Sequence, residues 1–156
     1  MSTKTGVIAV VMAGTVFAFV SSQLLWPPPA GLNPPASLLP FFVVLGVAEA
    51  LAFGAGVAFL IFGFPLIART GVGSLAAWGG YLGIAWSLVN WWAHDGFHRV
   101  NGLHLAGLLW IEYSFHVTLI LGGLFTVYFF LSVSRSASTR VHARSGAAGS
   151  TLGARE

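Results

Sequence analysis

Four long apolar runs divide the chain. The first, at residues 6–26, contains no charged side chain, and at about 1.5 Å of helical rise per residue it is long enough to cross a hydrocarbon core of about 30 Å. It ends at Trp26, an aromatic of the kind that sits at a membrane interface. Pro27, Pro28 and Pro29 follow and cannot continue a helix. The second run, 38–68, is long enough to tilt and holds one charge, Glu49. The third, 74–93, closes on Trp91 and Trp92, and the fourth covers 103–133. Beyond it, residues 134–156 are rich in Ser, Ala, Gly and Arg with no apolar period, which predicts a disordered tail.

This pattern predicts an all-α integral membrane protein, a four-transmembrane-helix bundle with lipid as its main solvent. Composition sharpens the reading. Hydrophobic residues make up 56% of the 156 and charged residues only 7%, whereas soluble domains carry roughly a quarter charged residues. Small residues recur at helical spacing at Gly46, Ala50, Gly54 and Ala58, and again at Gly79 and Gly83. Such stripes let helices approach closely where lipid supplies no hydrophobic drive for association. They read first as packing seams, and second as an interface with partner membrane subunits or another copy of the chain.

Charge distribution predicts orientation. With four spans, Lys4, Arg69, Arg135, Arg140, Arg144 and Arg155 share one side, and the other has only Arg99. The positive-inside rule then places both termini in the cytoplasm and the histidine-rich loop 94–104 outside. The pI near 10 reflects this basic tail, and no nucleic-acid motif accompanies it. A cleaved signal peptide is the alternative for the first run, and the same orientation survives its loss.

Nearly all the ionisable chemistry falls in one zone. The loop before the fourth run carries His94, Asp95, His98, Arg99 and His104, and that run then presents Glu112 and His116. At helical rise Glu112 lies about 14 Å deep, His116 about 20 Å and Glu49 about 16 Å, so the three are expected in one layer. Glu112 and His116 share a helix face at four-residue spacing. His94 and His98 have the same spacing, but Gly96 between them leaves it open whether a helix continues there.

An ionised side chain at the bilayer centre costs at least about 2.5–3.5 kcal/mol, so such residues require partners, protonation or water and mark functional sites by default. With no cysteine, a metal would be held by nitrogen and oxygen, which suits zinc, copper, iron or manganese. The expected first ligands are Glu112, His116 and Glu49. His94, Asp95, His98 and His104 are expected as an outer set. Haem held by two histidines, His116 with His94, His98 or His104, is an alternative. Two further readings compete: an accessory subunit whose buried polar cluster supplies folding specificity, and a proton or ion path through the same carboxylates.

Overall fold

The computed structural model describes residues 3–25, 35–102 and 105–152, the side chains of 139–152 excepted. Trp26 to Pro29 and His104 lie outside the described residues. Among the described residues the chain is entirely helical: α1 (Thr3–Leu25), α2 (Leu39–Phe62), α3 (Phe64–Ala68), α4 (Ser74–Asn101) and α5 (Leu109–Leu152).

Helix boundaries follow local chemistry. A 3-10 turn at Ala36–Leu38 leads into α2, with the Leu38 N–H donating to the Pro35 carbonyl at 2.8 Å and Pro40 in the first turn, where no N–H is needed. The second apolar run is not one helix to residue 68. Pro65 has no N–H to continue the ladder, and the chain breaks at Gly63, whose N–H closes α2 on the Phe59 carbonyl at 2.7 Å. Gly71, at φ 72°, turns the chain toward α4. α5 runs past residue 133 to Leu152, so most of the expected disordered tail is helical. No proline interrupts that stretch, and Ser134, Ser136 and Ser138 hydrogen-bond back onto carbonyls four residues earlier.

Among the described residues, three helical stretches are long and apolar enough to cross a membrane: Thr3–Leu25, Ala36–Phe62 and Leu109–Ser138. α4 has the length, but Asn90, His94, Asp95, His98 and Arg99 dilute its apolar character. The helices form a row in which α1 packs on α2, α2 on α4 and α4 on α5. The expected bundle would also pair α2 with α5; among the described residues no comparable packing joins them.

Residue sizes are arranged for lipid. The fully buried apolar positions are mostly alanines, such as Ala18, Ala50, Ala58 and Ala85, while Phe41, Val44, Leu75, Ile120 and Leu124 point outward. Large side chains outside and small ones between helices suit apolar surroundings, where close backbone approach replaces a hydrophobic core. A Cβ on Gly14 would lie 2.9 Å from the Gly54 Cα, one on Gly56 would meet Val89 at 2.7 Å, and one on Gly122 would lie 3.5 Å from the Gly83 Cα. Gly46, although in register with the stripe, faces open space.

The two ends of α4 differ. Around its start, Ile67, Ala77, Tyr81 and Phe129 form an apolar cluster, and the Tyr81 hydroxyl donates to the Leu60 carbonyl. Toward its end the packing becomes polar. There the Trp92 indole N–H donates to the Ala18 carbonyl at 3.1 Å, and Trp86 donates to the Thr118 hydroxyl at 3.1 Å.

The α1–α2 crossing tests this account. Gly54→Ala places a methyl onto Thr15 and the α1 backbone and is expected to destabilise the protein by about 1–3 kcal/mol. Gly46→Ala should stay within about 0.5 kcal/mol of the parent, both measured by equilibrium unfolding in detergent.

Candidate metal centre

The site depends on α4 continuing through residues that the sequence left undecided. Gly96 sits buried inside the helix, which runs on to Asn101. Its end is well fixed. Gly102 takes φ 57°, a conformation open to glycine, and donates its N–H to the His98 carbonyl at 2.7 Å. The Asn101 side-chain amide donates to the Phe97 carbonyl at 2.9 Å, and His98 and Arg99 occupy the last turn, where positive charge suits the helix dipole.

A continuous helix places His94 and His98 one turn apart on the face that meets α5. There Glu112 approaches from the first turn of α5. His94 Nε2 lies 3.3 Å from Glu112 Oε2, His98 Nε2 lies 3.1 Å from Glu112 Oε1, and the two Nε2 atoms are 3.2 Å from each other. One ligand atom from each of these residues therefore falls within a single small sphere. The Glu112 side chain is 12% exposed and the imidazoles 23% and 31%. Phe115 lies against His94 and Phe97 against His98, the rings 5.2 and 5.7 Å apart.

With Glu112 ionised, protons alone do not satisfy this triangle. A carboxylate only accepts, so both of its imidazole contacts require an N–H, which leaves two donors facing each other across 3.2 Å. Removing one proton relieves that edge and sets a lone pair against the carboxylate instead. A cation among them is attracted by both Nε2 atoms and by the carboxylate. Ligands at about 2.0–2.1 Å in a tetrahedron lie about 3.3–3.4 Å apart, close to the 3.2 Å between the two Nε2 atoms and to their contacts with the two carboxylate oxygens, 3.3 Å from His94 to Oε2 and 3.1 Å from His98 to Oε1. His98 is also oriented from behind: its Nδ1 lies 3.4 Å from the Gly102 carbonyl, the contact that would keep the proton on Nδ1 and free Nε2 for a metal.

The remaining expected residues separate. His116 stands beside the cluster, donating from Nδ1 to the Glu112 carbonyl at 2.9 Å, with the same nitrogen 3.4 Å from Oε1. Its ring meets His94 edge-on, and its side chain is half exposed. Glu49 is not brought to Glu112. It lies on the opposite side of α4, buried, with Oε2 3.8 Å from the Arg99 guanidinium, which is hydrogen-bonded at 2.8 Å to Asp95. Asp95 thus belongs to the Glu49 group and not to the histidines. The sequence reading treated Arg99 only as a topological charge and missed it as the partner of Glu49. The available signal was the four-residue spacing of Asp95 and Arg99, one residue out of step with His94 and His98.

Comparison with protein families, curated proteins and solved structures finds no match to this chain. The site therefore rests on its own geometry.

The glycine that ends α4 gives a direct test. Gly102→Ala forces a side chain into a positive-φ conformation, φ 57° and ψ −131°, at a cost on the order of 1–3 kcal/mol. Faster amide hydrogen exchange is expected at the end of α4, around Asn101 and Gly102, with exchange in the first half of α4 unchanged.

Proposed function

We propose that this chain is a polytopic membrane protein that binds one divalent transition-metal ion through His94, His98 and Glu112. The observation that carries the reading is the mutual approach of the two imidazole Nε2 atoms while both contact one carboxyl group, an arrangement that a cation completes when Glu112 is ionised and protons alone do not. Two histidines and a glutamate form a ligand set used by zinc, and the same set with open positions also suits iron(II). Zinc is the first metal to test, with iron, manganese and copper as the alternatives.

Three protein ligands leave a coordination position free. A metal held this way would supply a Lewis acid and an acidified bound water. What the chain's own residues contribute is positional. Gly102 and the end of α4 hold His98, Glu112 supplies the negative charge, and Phe97 and Phe115 provide an apolar border. His116 stands next to the cluster as a further base or ligand. The His94–His98 pair is unsuited to haem, because both imidazoles come from one helix and converge, whereas axial ligands must reach opposite faces of the ring.

In this reading α4 is the fourth membrane crossing, and the basic residues Lys4, Arg69 and Arg135 lie in the cytoplasm. The metal centre then opens at the extracytoplasmic end, consistent with the scarcity of positive charge there.

Metal analysis of the purified protein tests the proposal. About one equivalent of zinc is expected per chain. His94→Ala, His98→Ala and Glu112→Ala should each weaken binding by at least about 100-fold, given that even residues behind metal ligands contribute about 10- to 100-fold. Binding should also weaken as the pH is lowered, since protons compete for the imidazole lone pairs. Asp95→Asn should retain the metal. Absence of stoichiometric metal from every tested ion, or equal loss in all four variants, would overturn the reading.

A further inference from the structure

The second polar group, on the other side of α4, has a different character. Glu49 is 2% exposed, among the most completely buried side chains in the molecule, and its Oε1 has no hydrogen-bond partner. A buried carboxylate oxygen without a donor is costly if ionised, particularly in a helix read as crossing a membrane. Its other oxygen has a cation nearby but not bonded: Arg99 stands 3.8 Å away and is committed to Asp95 at 2.8 Å. Asp95 is close enough for its own charge to act on Glu49.

Counting charges sharpens the point. Two carboxyl groups share one guanidinium, so the group carries one negative charge too many if both acids are ionised. Among the described residues no other cation stands beside Glu49. Glu49 is the sole ionisable residue of α2. The crossing of Gly14 on Gly54 and the contact of Phe17 with Phe53 set the register of α1, which puts the last turns of α1, with the buried Ser21 and Ser22, near the level of Glu49. Those hydroxyls donate to carbonyls of their own helix, those of Phe17 and Phe19. Lys4, the ionisable residue of α1, is at its opposite end. On α4 the histidines turn toward α5, and Glu112 and His116 lie beyond them. One added positive charge balances the group, and the unpartnered Oε1 is where it would reside.

We propose that Glu49 is an exchangeable proton station inside the α1–α2–α4 packing, reached from the surface alongside the half-exposed Asp95 and Arg99. A proton from water adds to the Glu49 carboxylate to give the neutral acid, and the reverse step returns it. No electrons move, and Arg99 keeps its charge throughout. With Glu49 neutral, Arg99 rests on Asp95, which is the arrangement found. With Glu49 ionised, the guanidinium closes the 3.8 Å gap and is shared between the two carboxylates. This gives the chain a proton-binding function separate from the metal centre, with the end of α4 as the element that both touch.

Infrared difference spectroscopy of the full chain in lipid, between about pH 5 and pH 9, reads the station directly. The expected result is a carbonyl band of a neutral carboxylic acid that grows on acidification and shifts on [13C]glutamate labelling, which separates it from Asp95 without altering the protein. Glu49→Gln should abolish the band while leaving the zinc content unchanged. Loss of zinc binding in the parent chain with the band intact would count against the metal centre alone. A band that ignores glutamate labelling, survives Glu49→Gln, or keeps full intensity at every pH would overturn the proton station.

Discussion

An α-helix turns about 100° per residue, so two pairs with four-residue spacing, offset by one position, cannot face the same neighbour. α4 carries two such pairs in its last two turns, His94 with His98 and Asp95 with Arg99. Because the helix remains intact through Gly96, the first pair meets Glu112 on α5 and the second meets Glu49 on α2. Were the chain to leave the helix at Ala93, neither group would be held in place. The helix termination at Gly102 is therefore as much a part of the site as the three side chains themselves.

The row of helices supplies the rest of the constraint. Glycine contacts at Gly54, Gly56 and Gly83 set close crossings of α2 with α1 and of α4 with α2 and α5. These crossings fix the rotation of α4, and with it the direction in which each polar pair points. Packing through small residues leaves little room for slippage, since a Cβ at Gly54 or Gly83 meets the neighbouring backbone and one at Gly56 meets Val89. The apolar cluster around Tyr81 anchors the opposite end of α4. One end of the helix is thus fixed by rings and the other by charge.

Much of this was legible in the sequence. Long uncharged runs predict apolar helices because length and hydropathy are nearly sufficient for a lipid solvent. The concentration of acids and histidines between His94 and His116 marked the end where His94, His98 and Glu112 meet. Two things were not legible. Gly96 lowers helix propensity, and only packing against neighbours, invisible to a local reading, keeps that turn helical. Depth counting brought Glu49, Glu112 and His116 to one level, but depth says nothing about azimuth. Glu49 and Glu112 share a layer in that count and lie on opposite sides of α4 in the fold. The break at Gly63 had a readable cause in Pro65, which a scan for apolar length passes over. The helicity of 134–152 runs against composition, and His104 lies outside the described residues.

The central claim is that α4 turns two histidines onto one glutamate of α5 to form a metal centre. X-ray absorption spectroscopy of the zinc-loaded chain in lipid tests it most directly. The account predicts a shell of nitrogen and oxygen at about 2.0–2.1 Å with two imidazoles, one fewer after His98→Ala at saturating zinc, and no change after Asp95→Asn. A shell without imidazole, or one that His94→Ala and His98→Ala both leave unchanged, would contradict it.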